Sequence, residues 1–220
     1  MESNAVGVQN LLEALRLLGL SSTFVNSASS DMFGDQPGVA LDETSPMRPI
    51  SPYGVAKLAS HWTTVQYRTA FGVSAFNTIL SNHESALRGE NFVSRKIVTQ
   101  VKELAAGSRE SLELANADVE RDWLWAGDVA DALVQIISVD TPGDFVIASG
   151  ESHTIRELVD GCARSLGIAG SVTIQEHPEA IRPSDIPSVS LNPTKFMKAT
   201  GWKPRVSFGE LTRKLVEGEL

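Results

Sequence analysis

Apolar residues at Val8, Leu11, Leu12, Leu15 and Leu18 recur three and four apart at the start of the chain, the spacing of one helix face, and Gly19 stands where such a helix ends. A β-prone run over residues 22–29 leads into the polar turn Ser29-Ser30-Asp31, and a loop containing Pro, Gly and Asp then runs to Pro49. Over residues 51–71 the pattern is helical again, with Pro52 tolerated in the first turn and Ala56, Leu58, Ala59, Trp62 and Val65 as expected core positions. Residues 73–80 read as a buried strand, 82–91 as a polar loop, 92–106 as a helix and 112–114 as a short strand. Asp128 is then placed to cap an apolar helix through Val129, Leu133, Ile136 and Ile137.

Residues 144–149 are strand-like, and Thr154-Ile-Arg-Glu157 has the capping-box form that opens a helix running to Leu166. Residues 172–174 suggest one more short strand, followed by a Pro-rich stretch over 178–193 and an amphipathic helix after Ser207. This alternation predicts an α/β protein with a mostly parallel sheet. Where the pattern loosens it predicts a smaller lobe, so residues 1–170 are assigned mainly to the sheet domain and 171–220 mainly to the lobe.

Composition narrows the classes. A chain of 220 residues, 42% hydrophobic and 21% charged, suits a globular protein with a real core, and a net charge of -8 argues against nonspecific nucleic-acid binding. Cys162 is the only cysteine, so no intrachain disulfide forms; with Leu158 and Leu166 it lies on an apolar helix face and reads as a small buried hydrophobe. No run matches a signal peptide or a membrane span, and a reducing, cytoplasmic setting is the expectation. His61, His153 and His177 show no metal-like grouping, and Trp62, Trp123, Trp125 and Trp202 are expected to pack in the interior.

The candidate chemistry starts from Tyr53 and Lys57, one helical turn apart on one face. An ammonium beside a phenol favours the phenolate, so Lys57 is expected to lower the Tyr53 pKa. The strand ending in Ser29-Ser30-Asp31 and the strand ending in Ser81-Asn82-His83-Glu84 should open onto the same sheet edge as the Tyr-Lys helix, where ligands bind in parallel α/β sheets. A hydroxyl, a carboxylate and a phenol/ammonium pair then converge, the components needed to oxidise a sugar hydroxyl and remove a neighbouring carbon-bound proton.

Ser-Pro-Tyr-Gly-Val-Ala-Lys over 51–57, preceded by Ser29-Ser30-Asp31-Met32-Phe33-Gly34, resembles the catalytic core of extended short-chain dehydrogenases. The sixteen residues 82–97, with Arg121-Asp-Trp123 and Arg182-Pro183, resemble the signature of GDP-mannose 4,6-dehydratases, and the resemblance runs from about Val6 to the last helix. It implies the C-terminal part of a Rossmann-like sheet with flanking helices and a small substrate-binding lobe. It also implies conversion of GDP-mannose to GDP-4-keto-6-deoxymannose by an internal redox cycle on NADP. Ser29 takes the place of the substrate-binding Thr and Asp31 that of the catalytic Glu, while Tyr53 is the acid/base and Lys57 its partner and a ribose contact. His83 and Arg88 match cofactor-contacting positions; Asn82, Lys96, Arg121 and Arg182 match positions facing the substrate, the cations suited to its diphosphate. A homo-oligomer is implied for the full-length form.

The chain departs from that pattern in several places. Asp31 is one methylene shorter than Glu, about 1.5 Å, and a displacement of roughly 1 Å in a catalytic group can cost on the order of a hundredfold in rate. Asn192 stands where the family generally has Asp, and no Gly-x-x-Gly-x-x-Gly turn occurs. The resemblance therefore places Met1 inside the helix after the family's fourth strand, and the isolated chain is expected to be inactive. The alternatives are a GDP-4-keto-6-deoxymannose reductase or nucleotide-sugar epimerase, which would not need Asp31, and a non-catalytic homologue acting only as a subunit or fragment.

Overall fold

The computed structural model describes residues 1–181 and 185–219. Helix α1 (Gly7–Leu17), continuing a π-helical turn Glu2–Val6, precedes strand β1 (Phe24–Ser29) and a 3-10 turn Ser30–Met32. The two-residue β2 (Ala40–Leu41), the long α2 (Pro52–Phe71), β3 (Ala75–Leu80) and β4 (Asn82–Glu84) follow. Then come α3 (Val93–Ala105), β5 (Leu112–Leu114), β6 (Glu120–Trp125), α4 (Ala126–Ile136), β7 (Asp144–Ile147) and β8 (Ser152–Thr154). The last elements are α5 (Ile155–Ser165), β9 (Ile174–Glu176), β10 (Ser190–Leu191), α6 (Thr194–Thr200) and α7 (Phe208–Glu217).

The central sheet is parallel in the order β1-β3-β7, with Ser29 beside Leu80 and Asn77 beside both Asn26 and Asp144. All of β3 is buried, as expected for the middle strand of a sheet covered on both faces. A second sheet runs β4-β6-β8, its first pair parallel and its second antiparallel. One core joins Phe76, Phe145, Phe196 and Trp202 in a chain of tilted ring contacts, and another joins α3, α5, α7 and Trp123. Each draws on segments from both sides of residue 170, so the last fifty residues are knitted into the whole.

Ser51 opens α2 by accepting a hydrogen bond from Gly54 N at 2.9 Å, Pro52 sits in its first turn, and left-handed Gly72 closes it. Its buried side differs from the expectation. Trp62 is 54% exposed, and the positions facing the sheet are Gly54, Ala56, Ser60, His61 and Thr64. Hydrophobicity alone points Trp62 inward, whereas the sheet beneath presents amides, and Leu58 packs against the core from a half-buried position. Asn26 Nδ2 donates to Asn77 Oδ1 at 2.8 Å and reaches Ser60 Oγ at 3.4 Å, and Asn77 Nδ2 donates to Asp144 Oδ1 at 2.9 Å and to the His61 carbonyl at 3.2 Å. Arg68 closes the seam on Asp144 at 2.9 Å. A polar helix face packs here because its partners are in place.

Other expectations are corrected. The segment 82–91 holds strand β4 at its start, where Asn82 to Glu84 pair with β6, itself not foreseen in the charged run beginning at Glu120. Helix α6 also lies inside what read as irregular chain. Asp128 does not cap α4, whose first flanking residue is Trp125. It is buried two residues further in and accepts hydrogen bonds from the backbone N–H groups of Arg205 and Val206, both at 3.0 Å, pinning the segment that leads into α7. The capping box at Thr154 and Glu157 forms as expected.

Replacing Asp128 by Ala strands two backbone donors and removes one of the two carboxylates that Arg205 pairs with, Asp131 being the other. Urea unfolding should show a loss of about 3 kcal/mol. A loss under about 0.5 kcal/mol would mean that water satisfies those groups and that Asp128 is not the pin.

Candidate functional site

The C-terminal ends of β1 and β3 open onto one edge of the central sheet, and the first turn of α2 sits against it. Ser29 is the last residue of β1; extended at φ -148° and ψ 144°, it accepts a hydrogen bond from Asp31 N at 3.3 Å and so starts the 3-10 turn that carries Asp31. Gly54 lets α2 come close: a Cβ there would lie 2.7 Å from the Asp31 carbonyl oxygen, a contact no side chain tolerates. Gly34 has the same role one turn on, with φ +68° and Arg48 O at 1.9 Å from where a Cβ would be. The loop and the helix start are thereby locked together.

Tyr53 projects into this edge and is 46% exposed. Ser29 is the hydrogen-bonding neighbour of its phenol, and Asp31 and Arg88 act on it electrostatically. Burial raises the phenol above its ordinary range, Ser29 draws it down, the Asp31 charge raises it again, and Arg88 lowers it. The net direction corrects the expectation of a lowered Tyr53 pKa, because burial outweighs the neighbouring groups. The Lys57 Nζ is 5.8 Å from the Tyr53 ring centroid, but its hydrogen bond goes to the Ser27 carbonyl at 2.7 Å, and burial lowers its own pKa.

Asp31 is half-buried, and burial lifts its carboxyl above the ordinary carboxylate range against the pull of the Arg121 guanidinium. Arg121, on β6, donates to the Glu120 carbonyl at 2.7 Å and faces both Asp31 and Asp185; burial draws its pKa down while the two carboxylates raise it. Ser29, Asp31, Tyr53 and Arg88 are thus brought together, with Arg121 reached through Asp31. His83, on β4, is held by its Nδ1, which donates to the Ser81 carbonyl at 3.0 Å and leaves Nε2 as an acceptor. Asn82 pairs with Trp123, two residues along β6 from Arg121. Lys96 lines an open groove of about 400 Å³ with Glu90, Gln100, Glu103, Arg109 and Glu113. Arg182, expected beside Lys96 and Arg121, lies outside the described residues.

Glu84 was not singled out from the sequence. It is 1% exposed and accepts from Ser94 Oγ at 2.5 Å, and burial pushes its carboxyl up while Ser94 and Arg88 draw it down. Its spacing of four from Arg88 was the available signal. Cys162 is fully buried, its thiol pushed up to about 12 by burial, consistent with a packing role. Among the described residues no group of His, Cys, Asp and Glu could hold a metal ion, and no helix is long and apolar enough to cross a membrane.

Comparison with known proteins adds the relatives. The family model for GDP-mannose 4,6 dehydratase matches residues 1–215. GDP-mannose 4,6 dehydratase 1 of Arabidopsis thaliana is 37% identical over 220 residues, covering 98% of this chain and 61% of its own length. GDP-mannose 4,6 dehydratase of Homo sapiens is 36% identical over 236 residues, covering 99% and 63%. The chain thus spans about three-fifths of the length of these curated relatives. Among solved structures, RMD from Pseudomonas aeruginosa complexed with NADPH matches with TM-score 0.88 and 27% identity, covering 97% of this chain and 72% of that one. The dTDP-glucose 4,6-dehydratase of Bacillus anthracis in complex with NAD, at TM-score 0.86 and 18% identity over 98% of this chain and 67% of its own, shares the fold.

Because burial raises the Asp31 carboxyl in the folded protein, its neutral form is favoured there. The contribution to stability is full below the unfolded pKa and is lost as pH rises through the folded one. Asp31→Asn should therefore stabilise the protein at pH 7 by roughly 1 kcal/mol, a size common when a destabilised site residue is relieved. Thermal unfolding followed by circular dichroism should show the gain fading as the pH falls toward about 4 and absent below it. A less stable Asn variant at pH 7 would mean that the Arg121 pairing outweighs the cost of burial.

Proposed function

The chain belongs to the GDP-mannose 4,6-dehydratase family, and from that premise we propose that its site carries out dehydratase chemistry on a GDP-linked hexose, GDP-mannose, with NADP as cofactor. The observation that carries this reading is the convergence of a serine hydroxyl, a carboxylate raised by burial and a phenol with a lysine ammonium 5.8 Å from its ring at one strand-end edge. A carboxylate raised toward neutrality is a better base than a solvated one.

The residues at this edge fit a nicotinamide nucleotide. Tyr53 and Lys57 offer ribose contacts at the strand-end edge, and His83 and Arg88, on and just after β4, would serve the cofactor. Bound NADP supplies the hydride acceptor and later the donor. Ser29 hydrogen-bonds the sugar hydroxyl at C4 while Tyr53 takes its proton, giving a 4-keto sugar whose C5 proton is acidic. Asp31 removes that proton as water leaves from C6, and Arg121 beside it partly offsets the larger effect of burial on that carboxyl. Arg121 with Lys96 and Arg182 would meet the diphosphate, and Asn82 the sugar. A redox-only reading, reductase or epimerase, draws on the short reach of Asp31 and its engagement with Arg121.

The full-length protein is proposed to be a homo-oligomer in a cytoplasmic setting. Leu11 on α1 and Leu18 at its C-cap, and Val55 and Trp62 on α2, are exposed, and each pair is seven residues apart, the spacing of a helix-packing seam. The phenol of Tyr67 on α2 donates to Glu13 on α1 at 2.8 Å and holds the two helices side by side. A second copy presenting the same helices would cover both stripes.

Two measurements bear on these proposals. Calorimetry of the 220-residue chain with GDP-mannose should show binding that Arg121→Gln weakens by about 2 kcal/mol. No binding by the parent chain would end the substrate assignment. Without a glycine turn to hold the pyrophosphate and adenosine, the same chain should bind NADP weakly and release no 4-keto product. Micromolar NADP affinity with turnover would show that the cofactor site lies elsewhere. For the oligomer, Trp62→Glu should lower the mass seen by sedimentation equilibrium, and an unchanged mass removes this face from the interface.

A further inference from the structure

Along a β-strand, successive residues turn their backbone groups to alternate sides. The carbonyls of Gly143 and Ile147 accept from Asn77 N and Ser81 N at 3.0 and 3.1 Å, so residues 143, 145 and 147 face β3, and Asp144 and Val146 face away from it. Among the described residues no strand pairs with β7 on that outer side. Such an edge offers unpaired donors and acceptors to any extended chain that reaches it. Here two charged side chains take the outward groups. Glu43 Oε1 accepts from Val146 N at 2.7 Å, and Lys195 Nζ donates to the Asp144 carbonyl at 2.7 Å while lying 4.7 Å from the Phe145 ring centroid. These residues are far apart in the chain and are delivered together by the short β2-β10 ladder, in which Leu41 stands beside Leu191, two residues before Glu43 and four before Lys195. A turn closed by Asp42 Oδ1, which accepts from Thr44 N at 2.9 Å, fixes the backbone on either side of Glu43. Burial raises the Glu43 carboxyl, and the Val146 N–H and the Lys195 charge draw it back. A carboxylate thus meets the free donor and an ammonium the free acceptor, as a neighbouring backbone would.

We propose that Glu43 and Lys195 form a charged plug on the outer edge of β7 that keeps a second copy of this chain from extending the central sheet there. In a two-fold antiparallel pairing of β7 with its copy, Asp144 of one strand stands opposite Val146 of the other and the two exchange N–H···O bonds. The plugged groups, Val146 N–H and the Asp144 carbonyl, are the ones that such a pairing uses. The plug is independent of the reaction assigned to the site at the other end of the sheet.

Amide hydrogen exchange at Val146, followed by NMR on the 220-residue chain, tests the plug. In dilute solution the double variant Glu43→Ala, Lys195→Met should exchange Val146 N–H about 10- to 100-fold faster than the parent, the size expected for losing a hydrogen bond to a charged group. Phe145 and Ile147, which face β3, should keep their rates. Raising the protein concentration should slow Val146 again and raise the mass in sedimentation equilibrium above the parent's, because a second copy then takes the freed donor. The parent's Val146 rate should not depend on concentration, and Glu43→Gln, which keeps an acceptor oxygen, should behave as the parent. If circular dichroism shows the double variant unfolded, Lys195→Met alone, at an exposed position, frees the Asp144 carbonyl and should itself gain mass with concentration. An unmoved Val146 rate in the folded double variant overturns the hydrogen bond on which the plug rests. Faster exchange with neither concentration dependence nor gain in mass shows a bond that blocks nothing and overturns the plug, as does an unchanged mass in Lys195→Met where it stands in.

Discussion

The site depends on a buried polar seam. Asn26, Asn77 and Asp144 stand side by side on three parallel strands, and Ser60, His61 and Arg68 of α2 close over them. Amides and carboxylates sealed from water must be paired, so the helix has one setting in which its polar face is satisfied, and sliding it by a turn would strand several groups at once. Apolar packing alone would leave the helix freer to shift. His61 marks the cost of the seam, because its Nδ1 is buried without a hydrogen-bond partner and its pKa is drawn down by burial.

That setting is transmitted along α2 to its first turn. Ser51 and Gly54 bring the helix start against the Asp31 carbonyl, and Tyr53 and Lys57 then fall over the ends of β1 and β3. The helix that carries the phenol is therefore positioned twice, by the seam in its middle and by the glycine contact at its start. Charge is arranged around the phenol from two further directions, with Asp31 raising and Arg88 lowering its pKa. Arg121 in turn pulls on Asp31. Each group is tuned mainly by burial and secondly by a neighbour on a different element.

The outer face of α2 has a different logic. With the seam directed inward, its large apolar side chains Val55, Trp62 and Phe71 are left outside. The helix is thus polar toward its own sheet and apolar toward solvent, an inversion that suits a surface made to be covered.

The sequence alone determined the alternation of strands and helices, because local periodicity, the capping box at Thr154 and the proline and glycines around α2 act within a few residues of each other. It also determined the candidate set Ser29, Asp31, Tyr53 and Lys57, since strand ends and one turn of helix place those side chains by geometry that is itself local. What it could not determine was which face of α2 is buried, since the amides that receive Ser60 and His61 come from residues 26, 77 and 144, far away in the chain. Nor could it show that Asp128 holds residues 205 and 206, that Glu120 to Trp125 is a strand, or that burial raises the phenol of Tyr53. Each of those depends on partners that only tertiary contact supplies, and on burial, which sets the strength of every charge in the site and has no value until the chain is folded.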